Sequence, residues 1–353
     1  MSPKTFVAIA VAAVVAVAAA GISVALQPGY GDTDAAGRRL FPDLVERVND
    51  VASIVIEDAK GTISVSRRDA GWVLAESDGY PANAGKVRAV VVGLAGLTLL
   101  EPKTRREDRY AKLNLRDPET EDALSRRLTL KAADGEVLAR VIVGRRNFAF
   151  QAAGGGAVYV RIPDDAQAWL ARGSLALGTQ PSDWLRRKIV DVTPGRIARV
   201  VVRHADGETV VAFRAAPGDR NFAVDNLPAG ARLKNESAAD NFGLALENLQ
   251  LVEVRKADAI DFPGDATVQA EITTFDGLTA RLTLARVDGK DWLRLSFSAP
   301  ADGKDSAEAK DVAKEARDLA ARTEGWAYRI SGYRADYLKK RMADLIEKPK
   351  PES

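Results

Sequence analysis

The chain has 353 residues, 46% of them hydrophobic and 28% charged, the balance of folded sequence long enough for about two domains. Its 51 Lys and Arg nearly cancel its 49 Asp and Glu, so no strong global field recruits nucleic acid. With no Cys and a single histidine, His204, it excludes a disulfide framework, a thiol nucleophile, an N-terminal lipidated cysteine, a zinc-thiolate site and any two-histidine metal site.

Thr5 to Leu26 contains no charged residue and is built mainly of Ala and Val. As a helix it would rise about 33 Å, enough to cross the hydrocarbon core of a bilayer. Phe6, Val7, Ile9, Val14, Ile22 and Leu26 supply the apolar anchor residues. Residues 1–27 are therefore expected as a transmembrane anchor. The competing reading is a cleaved signal peptide, for which Ala18-Ala19-Ala20 and Ser23-Val24-Ala25 offer small-residue patterns. A signal peptide's apolar region usually runs about 7–15 residues, shorter than this one. Lys4 before the run and Arg38 and Arg39 beyond it, diluted by Asp32 and Asp34, leave the charge comparison close to even. The four-residue leader favours an N-in orientation, with the bulk of the chain outside the cytoplasmic membrane.

Residues 28–45 are expected as a linker, the first lobe over 46–190, the second over 191–347, and a disordered tail over 348–353. The lobes repeat one another. Val51 to Glu57 recurs as Ile197 to Arg203, each a β-branched run leading to a turn, Lys60-Gly61 or Asp206-Gly207. A second strand follows at Ile63–Ser66 and Thr209–Phe213, and a third at Gly71–Ala75 and Phe222–Val224. Helical spacing then predicts helices over Lys86–Leu100 and Ala239–Val252. Each is followed by an Asp-Gly hairpin, at Asp134-Gly135 and Asp276-Gly277, flanked by Ala139–Val143 and Ala280–Leu284. Tyr159-Val-Arg-Ile162 aligns with Trp292-Leu-Arg-Leu295. The predicted fold is α+β: one transmembrane helix, then two tandem similar lobes, each a mainly antiparallel sheet with a packed helix.

Ala166 to Arg196 connects the lobes and holds the basic cluster Arg186-Arg187-Lys188. Near 305–323 a charged helical insertion opens with a capping-box pattern, Asp305 to Glu308, and carries Val312, Ala316 and Leu319 on one stripe. Trp326–Ile330 resumes as a strand. Tyr333–Ile346 reads as a helix with Tyr337, Leu338, Met342 and Leu345 inward.

Gly71-Trp-Val-Leu, Tyr80-Pro-Ala, Lys86-Val-Arg, Glu101-Pro-Lys, Tyr110-Ala-Lys-Leu-Asn-Leu, Asp183–Ile189 and Trp326–Ile330, taken in order, resemble the domain-of-unknown-function 4340 family. The likeness covers about Leu40 to Leu345. It implies a bacterial protein with one N-terminal membrane anchor and no established catalytic residues. Genes of such proteins often stand beside ABC-type transporter genes and a gliding-motility-type auxiliary gene. Leu113-Asn114-Leu115 departs from the family's commoner Leu-Gly-Leu, and the 301–325 helix is additional.

No catalytic, cofactor-binding or metal-ligating set emerges, and no cofactor is expected. Gly79 to Lys86 misses phosphate-loop spacing and has Val87 where Ser or Thr would be needed, so it reads as a turn before a helix. His204 reads as a solvent-exposed strand-end residue, and Trp72 and Trp292 as core. The carboxylate pairs Asp164-Asp165 and Glu121-Asp122 fall in loop or helix-start sequence. The basic doublets Arg105-Arg106, Arg126-Arg127, Arg145-Arg146 and Arg186-Arg187 read as solvated faces balanced by nearby acids. The expected function is that of a non-enzymatic, membrane-anchored binding or scaffold protein outside the cytoplasmic membrane. Its expected partner is a protein of an ABC-type transporter complex, with no nucleic acid. The alternative is an envelope hydrolase using Ser, Lys or carboxylate groups that no spacing rule detects.

Overall fold

The computed structural model describes residues 35–148, 156–264, 267–300 and 307–347. The expected anchor, including Phe6, Val7, Ile9, Val14, Ile22 and Leu26, and the expected tail lie outside them. Among the described residues, no helix is long and apolar enough to cross a membrane. The fold is α+β, built mainly of antiparallel sheet. Its first compact unit runs to Asp69 and resumes over Ala84–Leu177, and the second takes Ala70–Asn83 and the chain from Gly178 onward.

In chain order, β1 (Ser53–Asp58) and β2 (Gly61–Arg68) form a hairpin. Ile54 and Ile56 are buried and Val65 lies opposite Ile54, so period-two alternation gives the hairpin one apolar face. β3 (Gly71–Leu74) and β4 (Tyr80–Pro81) come next in sequence and belong to the second unit. Helix α1 (Ala84–Ala95) buries Val87, Val90, Val91 and Leu94 and packs on the Asp43–Val45 turn. β5 (Thr98–Thr104) leads into a 3-10 strap, Glu107–Leu113. Strands β6 (Arg126–Lys131), β7 (Val137–Asn147), β8 (Ala157–Arg161) and β9 (Ala168–Arg172) complete the unit. Its strands lie in the order β2-β1-β6-β7-β8-β9-β5, all neighbours antiparallel.

Beyond Gly178 the second unit continues with β10 (Lys188–Val190), β11 (Ile197–Arg203), β12 (Thr209–Phe213) and β13 (Ala223–Val224). β14 (Leu249–Gln250), β15 (Glu253–Lys256), β16 (Thr267–Thr274), β17 (Thr279–Val287) and β18 (Lys290–Ser298) follow. Helix α2 (Ala307–Thr323) buries Val312, Ala316 and Leu319 and packs on β18 and β10. β19 (Trp326–Arg329), α3 (Gly332–Lys339) and α4 (Met342–Leu345) close it. The main sheet has the order β13-β12-β11-β16-β17-β18-β19-β15.

From β2 and β12 onward the two orders coincide strand for strand. Registers coincide as well: Ile54 faces Leu130 as Val200 faces Ile272, and Ile142 faces Arg161 as Thr283 faces Arg294. Even the strand edges match. Leu99 N–H donates to Arg38 at 2.9 Å, and Leu251 N–H donates to Arg187 at 2.9 Å.

Several expectations need correction. The expected linker 28–45 ends early, because Ala35, Leu40 and Leu44 are buried and Gly37 N–H donates to Leu99 at 2.7 Å. The first predicted helix stops at Ala95, and from Thr98 the chain turns into strand β5 (Thr98–Thr104). The second predicted helix is only a 3-10 turn, Asp240–Leu244, followed by tight turns. There the Asp240 carboxylate accepts Phe222 N–H at 2.9 Å, the Phe222 ring presses on Gly243, and Asn248 is left-handed at φ 42°. The unit boundary falls between Leu177 and Gly178 rather than at 190, and residues 70–83 leave the first lobe. Tyr80 packs edge-on against Trp326, with centroids 5.0 Å apart, and Asn83 N–H donates to Trp184 at 2.7 Å. The C-terminal helix is broken at Arg341, which is extended while its N–H donates to Asp344 at 2.9 Å. Trp292 is core, but Trp72 is only half-buried.

Candidate binding site

On the first sheet, buried Ile54, Ile56, Leu128 and Leu130 define one face. The opposite, outward face carries Val55 and Glu57 of β1, Arg127, Thr129 and Lys131 of β6, Arg140 of β7 and Arg161 of β8. The strap crosses this face over β7 and β8. Tyr110 of the strap and Leu115 just beyond it join Ile142, Tyr159 and Leu170 in a small apolar cluster. A Cβ on Gly144 would overlap the Leu113 carbonyl, so only glycine lets the strap lie this close to β7.

Arg161 pins the strap. Nine-tenths buried, its guanidinium donates to the Leu115 carbonyl at 3.4 Å and to Asp117 at 3.1 Å, and lies 4.7 Å from the Tyr110 ring centroid. The Tyr110 hydroxyl donates to Ala166 at 2.6 Å, and burial pushes its pKa up. Arg127 makes a fork with Glu119, one arm at 2.8 Å, with Glu57 at 3.6 Å and Asp117 at 3.8 Å. The Arg127 contact holds the Glu119 carboxyl below its ordinary range.

Beside the strap the outward face opens into a cavity of about 670 Å³. The Ile162–Asp165 turn forms part of its wall. Asp165 N–H donates to Ile162 at 3.1 Å, Pro163 presets the first corner, and Asp164 takes the second at φ 67°. Asp165 accepts Gln167 N–H at 2.9 Å. Among the described residues, Lys131, Arg140, Glu107 and Asp164 line this cavity without a hydrogen-bonded or ionic side-chain partner.

The other residues singled out in sequence scatter. Asp164, Asp165 and Arg127 of the Arg126-Arg127 doublet reach the cavity, whereas Glu121 and Asp122 sit on an exposed turn. His204 is not exposed: it is buried at the turn after β11, its Nε2 lying 3.1 Å from the Lys340 carbonyl. Burial follows because the α3–α4 break folds over that turn, where Arg341 pairs with Asp206 at 2.7 Å. Arg106 pairs with Asp108 at 2.8 Å, and Arg146 donates to Leu175 at 3.1 Å. Gly79 to Lys86 is a turn, a short strand and the start of α1. No cluster of His, Asp and Glu that could hold a metal occurs among the described residues. Lys131, Arg140 and Glu107 had no local motif to single them out. They converge only through strand register and the return of the strap.

Fold and cavity together define a two-unit, sheet-rich α+β chain with a charged concave surface on one unit. The family model described as Domain of unknown function (DUF4340) matches residues 72–270, and the chain belongs to that family. No curated protein and no solved structure matches it.

Proposed function

We propose that this chain is a non-enzymatic, membrane-tethered binding subunit, an accessory of an ABC-type transporter assembly outside the cytoplasmic membrane. A single span over Thr5 to Leu26 tethers it, and its two sheet units are copies of one β-rich repeat. The observation that carries the binding role is the outward-face cavity, where Lys131, Arg140, Glu107 and Asp164 stand without side-chain partners among the described residues. Coincident strand order and register support the duplication. The charge-free run of Thr5 to Leu26 supports the span, and tethering would hold the cavity near a membrane partner at high effective concentration.

Fractionation of cells carrying the full chain with a C-terminal phosphatase tests the tether and its orientation. The fusion should be active and stay with membranes through carbonate washing. Crosslinking of the membrane fraction should join the chain to a transporter subunit. A shortened soluble form, a silent phosphatase or no transporter adduct would contradict the proposal.

A further inference from the structure

The geometry points to a zwitterionic amino acid or short peptide as the ligand of the first unit's cavity, its carboxylate held by Lys131 and Arg140 and its ammonium by Asp164 and Glu107. This inference rests on reading the cavity as the binding site. Of the cations on the outward face, Arg161 is committed to Leu115 and Asp117, and Arg127 to Glu119 and Glu57. Lys131 and Arg140 remain. Thr129 faces Arg140 across the β6–β7 pair and Lys131 lies two residues along β6, past a bulge at Leu130–Lys131, so both cations border the cavity from adjacent strands. Two long cationic side chains that line the same cavity from adjacent strands can close around one carboxylate.

The carboxylates come from different elements, Glu107 from the strap and Asp164 from the β8–β9 turn. They decide which ligands fit. A polyphosphate would meet Glu107, Asp164 and Asp165 together, and a purely cationic ligand would meet Lys131 and Arg140. A neutral ligand would leave both sets unanswered, whereas a zwitterion answers both. About 670 Å³ is ample for a tripeptide, within the size range of small-molecule pockets.

The second unit lacks this arrangement. At the positions matching Thr129, Lys131 and Arg140 it has Glu271, Thr273 and Arg281, and Arg281 is neutralised by Glu271 at 3.0 Å.

Calorimetric titration of the full chain with trialanine, N-acetyl-trialanine and trialanine amide tests the inference. Trialanine should bind, and blocking either terminus should weaken it about tenfold or more, the loss of a charge-assisted contact. Lys131→Met should weaken trialanine by a similar factor and leave the amide unchanged. Asp164→Asn, which tolerates the left-handed backbone, should weaken trialanine and leave the acetylated peptide unchanged. Absence of trialanine binding, equal binding of all three peptides, or inorganic phosphate binding as well as trialanine would overturn the inference. Fractionation and crosslinking report on the tethered-subunit reading separately, so the two can fail independently.

Discussion

The two sheet units differ least where they are apolar and most where they face outward. Ile54 and Ile56 correspond to Val200 and Val202, and Leu128 and Leu130 to Ala270 and Ile272, all buried. Both units use one arginine to hold the segment that follows their edge strand. Arg161 binds Leu115 under Tyr110, and Arg294 donates to Ile260 at 2.8 Å with the Phe262 ring 4.0 Å away. Beyond this shared frame they part. Gly144 sits beneath the first strap where the second unit has buried Ala285, and Arg140, without a side-chain partner among the described residues, stands where Arg281 is paired. Alternation and register fix the frame, because shifting a strand by one residue would turn its apolar face outward. The outward face is under no such constraint, so chemistry can differ there without disturbing the fold.

The largest expected effect separates the units. Trp184 is fully buried, and Trp184→Ala should cost about 3–5 kcal/mol. Hydrogen exchange should then show residues 70–83 losing protection with the chain beyond Gly178 and not with Ala84–Leu177. Protection lost evenly through both units would break the division. Next come the two arginines. Arg161→Ala and Arg294→Ala should each cost about 2–3 kcal/mol in urea unfolding, from lost charge-assisted hydrogen bonds and ring contacts. A loss confined to one of them would show that the shared geometry hides different roles.

Gly144→Ala should cost about 1–3 kcal/mol by forcing the strap off β7, whereas Ala285→Gly should cost only about 0.5–1 kcal/mol. Equal costs would mean that the first strap lies no closer than the second.

The smallest effect concerns Glu119, whose carboxyl pKa is lowered by the Arg127 hydrogen bond. A depressed folded-state pKa contributes stability above the ordinary carboxylate range and loses it as the pH falls through the depressed value. Glu119 is largely exposed, so Glu119→Gln should cost at most about 1 kcal/mol at neutral pH. Urea midpoints of the two proteins should converge in acid. A gap that widens on acidification would reverse the assigned sign.

Hairpins were the most legible part of the fold. Asp134-Gly135 and Asp276-Gly277 each lie between alternating strands, and local chemistry alone announces them. The segment Ala239–Val252 was not legible, because its apolar spacing suits a helix while Asp240, Gly243 and Asn248 make tertiary contacts or adopt backbone angles that break it. His204 was misplaced for a related reason: the segment that covers it arrives from Lys340, far along the chain. Of the residues the sequence singles out, Arg127, Asp164 and Asp165 line the cavity, but their local sequence reads as a solvated face and a loop, not as a site. No local motif marks Lys131 or Arg140, which adjacent strands bring to one cavity, and Glu107 joins them only once the strap has folded back.

The two units share a frame, and the ligand inferred for the cavity belongs to the first unit's outward face alone. Binding isotherms of trialanine on the full chain bearing either Lys131→Met or Arg281→Met test it most directly. Lys131→Met should reduce affinity about tenfold or more, and Arg281→Met should leave it unchanged. Equal losses in both variants, or a loss only in Arg281→Met, would contradict the account.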